Sequence, residues 1–207
     1  MIDPAELKRL GLSRSTVSEV LLSLSAGSDM NVAPMGVKLG RATNLAIKVY
    51  SGCRTYDLVR CGARDYVINI TSDPTLFYYA ILSKNLLKLN PSRYVRAPRV
   101  AGCEAYVECE LSYITYGRGY LKLYLRPIHI EYKKIVPKAF CRAYPAIIEA
   151  LICYTKIPYL KSAGKLRETE ALLNKIRSCV EVVKHSTRSR KLRFISRKVL
   201  DEAEKLI

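Results

Sequence analysis

Near Val136 the hydrophobic period of the chain changes from that of a strand to that of a helix, and this change dictates a two-part architecture. Upstream, "ATNLAIKVY" sets Leu45, Ile47 and Val49 against Asn44, Lys48 and Tyr50, the alternation of a strand with one buried face. "TVSEVLLSLS" (16–25) and "NVAPMGVKL" (31–39) flank the turn-rich "AGSDM" and read as a hairpin. "RTYDLVRCG" reads as one or two helical turns ending at Gly62, and "DYVINI" as a core strand. In "TSDPTLFYYAILS", Asp73 is placed as an N-cap and Pro74 at the first helical position. From Ala101 to Tyr132 two long strands meet at "YGRGY", where Gly117 and Gly119 permit the positive φ that tight hairpins demand. The polar opening segment reads as mobile, and "NPSRYVRAPRV" (90–100), with its prolines and arginines, as a surface loop.

At least six strands with mostly short connections and no βαβ alternation predict an antiparallel barrel over residues 1–135. Residues 136–207 form a helical subdomain packed on it. Its first helix is "YPAIIEALICYTK", with Pro145 at the start and Pro158 just past the end. Leu166, Leu173, Ile176, Val180 and Val183 mark a second helix, and Leu192, Ile195, Val199, Ala203 and Leu206 a third. These stripes are docking faces; neither is regular enough for an independent coiled coil.

With 35 Lys+Arg against 18 Asp+Glu, the formal charge of +17 favours phosphate-rich partners: nucleic acid, a nucleotide cofactor or acidic lipid. No apolar run approaches the roughly 18 residues of a spanning helix, and "MIDPAELKRLGLSR" lacks an apolar signal core, so the expected location is cytoplasmic, off the membrane. The seven cysteines show no CxxC spacing, which gives no zinc pattern, and they read as buried small apolar residues. Cys103 and Cys109 are expected on one face of one strand, too far apart to bond each other. No dinucleotide loop, P-loop, HExxH pair or GxSxG elbow is present, and His129 and His185 read as structural or surface residues.

Two short stretches carry chemistry. In "VYSGCRTYDL", Gly52 lets a backbone approach closely, Ser51 and Thr55 offer hydroxyls, and Arg54 can make a bidentate ionic contact. A terminal phosphate needs this combination, although an ordinary strand-to-helix turn uses similar residues. In "NVAPMGV", small residues and Pro34 interrupt a barrel strand. Proline lacks the ladder donor, so Pro34 belongs at an edge or bulge, and the interruption either leaves room for a flat ring or marks a plain edge strand.

Together with "VINITSDPTLF" (67–77) and "IEALI" (148–152), these stretches give a sequence that resembles the FMN-binding split-barrel superfamily of flavin-reductase type. It is most similar to a largely archaeal family known as a domain of unknown function. The resemblance implies a mainly β fold with added helices, an antiparallel Greek-key split barrel, working as a homodimer with FMN near the subunit interface. It implies phosphate contacts from Ser51, Gly52, Cys53, Arg54 and Thr55, and ring-side contacts from Asn31, Ala33, Pro34, Met35 and Gly36. Asn69 and Thr71 either complete the site or are polar groups paired within the sheet. Cys53 stands where the family has serine, and Asp57 where it has asparagine.

The resemblance implies a flavoprotein oxidoreductase in which the cofactor does the hard chemistry, with a nicotinamide as electron donor, and a deazaflavin as another possible occupant. A non-catalytic FMN carrier or sensor would have the same sequence features. The competing reading is a nucleic-acid-binding protein. It rests on "KHSTRSRKLRFISRK" (184–198), which is strongly basic, contains an aromatic residue and has no acid.

Overall fold

The computed structural model describes residues 2–15, 17–133 and 142–207. In chain order these form α1 (Pro4–Arg9), β1 (Ser18–Ala26), β2 (Asp29–Leu39), β3 (Leu45–Tyr50), α2 (Arg54–Arg60), β4 (Asp65–Ile70) and α3 (Pro74–Leu82). They continue with β5 (Leu89–Asn90), β6 (Arg99–Val100), β7 (Ala105–Gly117), β8 (Tyr120–Tyr132), α4 (Ala143–Ser162), α5 (Leu166–Ser186) and α6 (Arg190–Lys205). Two compact units result: Met1–Thr71 with Asn85–Ile135, and Ser72–Lys84 with Val136–Ile207. The change of period near Val136 is therefore one of several crossings, because α3, inside the segment read as barrel, groups with the C-terminal helices.

In the first unit, antiparallel strands close into a barrel in the Greek-key order β1-β2-β3-β8-β7-β4. Alternation fills it: Val20, Leu22 and Leu24 of β1, Ile47 and Val49 of β3, and Leu121, Leu123 and Leu125 of β8 are all buried in one core. The barrel is split along one seam. β2 pairs with β1 from Asp29 to Val37 but with β3 only over Val37–Leu39, so from Asp29 to Gly36 its second edge has no strand beside it among the described residues. Pro34 lies on this open stretch, where a missing N–H costs no ladder bond on the free side.

The opening segment differs from its expected mobility. Asp3 accepts a hydrogen bond from the Ala5 N–H at 2.8 Å, Pro4 begins α1, and Leu7 and Leu12 are fully buried in the barrel core. Segment 90–100 also departs from the surface-loop reading. Its short strand β6 pairs with β5, and Ala97, Arg99 and Val100 are buried. Cys103 precedes β7 rather than sharing a strand with Cys109, though both are buried. Of the other cysteines, Cys153 is buried, Cys53 and Cys179 are half-buried and Cys61 is exposed; Cys141 lies outside the described residues.

In the second unit, Asp73 caps α3 by accepting from the Thr75 N–H at 2.8 Å. Pro158 sits inside α4, not beyond it. Ile157 beside it is fully buried, and the helix runs on through the proline to Ser162. Among the described residues, no helix is long and apolar enough to cross a membrane.

Candidate functional site

The open edge of β2 and the end of β3 meet at one corner. β3 stops at Tyr50, Gly52 takes φ +83°, and α2 starts at Arg54 with Cys53 as its N-cap residue. The positive φ, which an L side chain rarely adopts, lets the chain reverse from strand into helix with open space above Gly52. Ser51 pins this corner to the β7–β8 turn: its N–H and its hydroxyl both donate to the Gly119 carbonyl, at 3.0 and 3.1 Å. α2 then packs back on β1, β2 and β3, burying Leu58 and Val59 in the barrel core.

The sequence-predicted residues fall into distinct groups. Asn31 and Thr55 come together in the interior, where the Asn31 amide donates to the Thr55 hydroxyl at 3.1 Å. That bond joins the two chemistry-bearing stretches, one on β2 and one on α2. Arg54 is exposed, and its guanidinium lies 3.4 Å from Asp29 at the start of β2, a solvated pair of small energetic weight. No side chain caps α2, because the Cys53 thiol donates back to the Tyr50 carbonyl instead. The first-turn amides of α2 are thus left without a side-chain acceptor, the need that a serine or threonine N-cap usually meets. Asp57, one turn on, is exposed.

Ala33, Pro34, Met35 and Gly36 are half-buried along the open edge, with Met35 packed against the barrel core. The space over Gly36 is taken by a neighbour: a Cβ there would lie 2.6 Å from Val17 Cγ1. A flat group against Gly36 therefore requires the exposed Val17 side chain to turn away.

Asn69 has a different assignment. It is fully buried; its amide nitrogen lies 2.9 Å from both the Leu21 carbonyl and the Ser23 hydroxyl, and its oxygen accepts from the Val100 N–H at 2.7 Å. Those partners occupy both ends of its amide inside the sheet, which fits the paired-strand alternative. Thr71 is buried just past the end of β4.

Residues that sequence reasoning did not single out flank the corner on the outer face of the barrel. Lys48 of β3 stands directly opposite Lys122 of β8, and Tyr50 opposite Tyr120. Like charges placed opposite each other repel. The Lys48 ammonium settles 3.9 Å from the Tyr120 ring centre and 4.6 Å from that of Tyr50, while Lys122 lies 5.1 Å from the centre of Tyr124. Lys48, Lys122, Tyr120 and Tyr124, with Gly36 and Val17, line a depression of about 690 Å³, in the range of small-molecule sites. Alternation had put Lys48 and Tyr50 on the outer face; only the strand register could show that Lys122 and Tyr120 stand beside them.

A second polar cluster lies on the outer face of β7 and β8. Glu108 is fully buried; it accepts from the backbone N–H groups of Arg93 and Tyr94 at 2.9 and 2.7 Å, and from Arg99 Nε at 2.9 Å. Arg99 also reaches Glu131, at 2.8 Å. Burial alone would raise the Glu108 carboxyl's pKa, but the two amides and the guanidinium outweigh it and hold it below the usual carboxylate range.

Comparison with known proteins agrees with this geometry. Residues 18–134, more than half the chain, match the model described as "Protein of unknown function (DUF447) N-terminal domain". Among solved structures, an FMN-bound protein from Methanosarcina mazei of that same family aligns over 97% of this chain and 100% of its own, with TM-score 0.71 and 19% identity. A putative flavin reductase from Haemophilus somnus aligns over 64% of this chain and 90% of its own, with TM-score 0.50 and 12% identity. An FMN-binding protein from Thermus thermophilus aligns over 56% and 71%, also with TM-score 0.50 and 12% identity. No curated protein sequence matches. At these identities the structural likeness establishes a flavin-reductase-like split barrel, and the match over residues 18–134 establishes the lineage: this chain belongs to the DUF447 family.

Proposed function

We propose that the protein binds FMN at the corner between β3 and α2. The observation that carries this reading is the combination gathered there: an exposed guanidinium on Arg54, open space over Gly52, and a helix start that no side chain caps. Arg54 would hold the phosphate with the help of backbone amides at Cys53 and beyond. Ser51 spends its hydroxyl proton on the Gly119 carbonyl and so shapes the seat, whereas Thr55 accepts from the Asn31 amide, a bond that does not use its own O–H. The edge Ala33–Gly36 and the Lys48–Tyr120 depression would flank the remainder of the cofactor. An FMN-bound family member with the same fold supports the assignment.

The residues present fit such a group. A dianion is matched by cations and amides, and the Asp29 carboxylate beside Arg54 is solvated, so an incoming phosphate competes for the same guanidinium. FMN, when bound, supplies the redox chemistry, and the chain positions it and limits solvent access. We read the biological unit as a homodimer with the flavin near the interface, and the activity as flavin-reductase-like electron transfer from a nicotinamide. The solved HpaC flavin reductase, which carries NADP+, supports that donor class.

The test is direct. Apo protein is titrated with FMN by calorimetry, its mass is measured by light scattering, and NADH or NADPH is added to the loaded protein without oxygen. Saturable FMN binding, a dimer mass and nicotinamide-dependent loss of the flavin's visible absorbance are expected. Failure to bind FMN would overturn the reading; binding without reduction would leave a carrier or sensor.

A further inference from the structure

The proposed flavin site does not account for the basic stretch 184–198. Helix α6 buries Leu192, Ile195, Val199 and Ala203 within the helical unit, so its apolar face is occupied. The opposite face of its first half carries Phe194, 62% exposed, with Arg190 and Lys191 one turn before it and Arg197 and Lys198 one turn after. Residues three and four apart on a helix are surface neighbours, so four cations surround one solvent-facing ring. Lys198 is paired with Glu202; among the described residues Arg190, Lys191 and Arg197 have no carboxylate partner.

This arrangement works against the helix that carries it. The N-terminal end of a helix has a partial positive charge and favours acids, yet the first turn of α6 has none, while Asp201, Glu202 and Glu204 crowd toward its other end. α5 follows the stabilising pattern, with Glu168 in its first turn and Lys184 and His185 in its last. A surface that concentrates repelling cations at the unfavourable end of a helix and leaves a phenylalanine in water is the local conflict expected of a binding face.

We propose that the first half of α6 docks single-stranded nucleic acid, with Arg190, Lys191 and Arg197 on backbone phosphates and Phe194 stacked on a base. Arginine forks suit phosphate oxygens, and one ring among cations is the unit by which single strands are held without sequence preference. An acidic membrane shares the charge preference but needs a broad apolar face to insert. Here that face is buried and a single ring is left.

The experiment measures anisotropy of fluorescein-labelled oligo(U) and oligo(dT) against the full-length chain over a range of salt, beside variants Phe194→Ala and Arg190→Gln/Arg197→Gln. Circular dichroism melts check folding. With three phosphate contacts the slope of log affinity against log salt should be about −2, and the double variant should lose about 1.4 of it. Phe194→Ala should weaken binding roughly 5- to 100-fold with the slope unchanged. Phosphatidylglycerol vesicles provide the competing partner. Capture by vesicles without oligonucleotide binding would overturn the proposal, as would oligonucleotide binding that neither folded variant changes. Because the probe contains no flavin, either outcome is independent of FMN binding.

Discussion

Two polar clusters on the same barrel have opposite designs. Around Glu108 the buried charge is matched: the carboxylate meets two backbone amides and a guanidinium that also reaches Glu131. At the corner after β3 the guanidinium of Arg54 is solvated, the α2 start is uncapped, and the positive charge faces water. The first cluster holds segment 92–100 against the sheet, together with Asn69, which accepts from the Val100 N–H, and Ser23, which donates to the Pro98 carbonyl. The second has capacity left for a ligand. Burial and satisfied hydrogen bonds thus separate the charges that build the fold from those left in solvent.

Perturbing the satisfied cluster should have the larger effect. Arg99→Ala leaves the buried Glu108 without its cation and is expected to cost about 3–5 kcal/mol in urea denaturation, with FMN affinity unchanged in the folded fraction. A mutant of wild-type stability would remove the clamp from the account. Acid should loosen the same contacts reversibly. The Glu108 pKa is lowered in the folded chain, so its stabilisation is fully present above the ordinary carboxylate value and is lost as pH falls through the lowered one. Hydrogen exchange at the Arg93 and Tyr94 amides should quicken only in that acidic window; protection that persists through it would contradict the assignment.

The corner should respond in binding, not in folding. Arg54→Ala is expected to weaken FMN by about 1.5–3 kcal/mol, the worth of a hydrogen bond to a charged group, while its denaturation midpoint stays near wild type. An equal loss of stability would make the corner structural like the clamp. Cys53→Ser has the smallest effect. Serine at the N-cap should stabilise α2 by about 0.5–1 kcal/mol; a lower melting temperature would show that the thiol's bond to the Tyr50 carbonyl matters more than a cap.

The barrel was legible because strands with one buried face announce themselves by alternation, as Leu45, Ile47 and Val49 do. The corner was legible because Gly52 and Arg54 sit where a strand pattern stops. What escaped the sequence depends on distant partners. The Asp3-Pro4 pair carries the same helix-start signal as Asp73-Pro74, but only tertiary burial of Leu7 and Leu12 distinguishes an anchored helix from a mobile end. Arg99 looked like one loop arginine among three until the fold set it beside Glu108. Asn69 had two readings in sequence, and the register that brings Ser23 and Val100 to it favours the sheet. Pro158 carries a stop signal, yet α4 runs through it to Ser162 with Ile157 buried beside it.

The central claim is that the corner seats a phosphate, and comparing FMN with riboflavin isolates that group. Titrating both flavins into wild-type and Arg54→Ala protein should show FMN bound about 100-fold more tightly than riboflavin by wild type, a preference of the size that one charge-assisted hydrogen bond supplies, and most of it should vanish in the variant. Equal affinities for the two flavins in the wild-type protein would contradict the account.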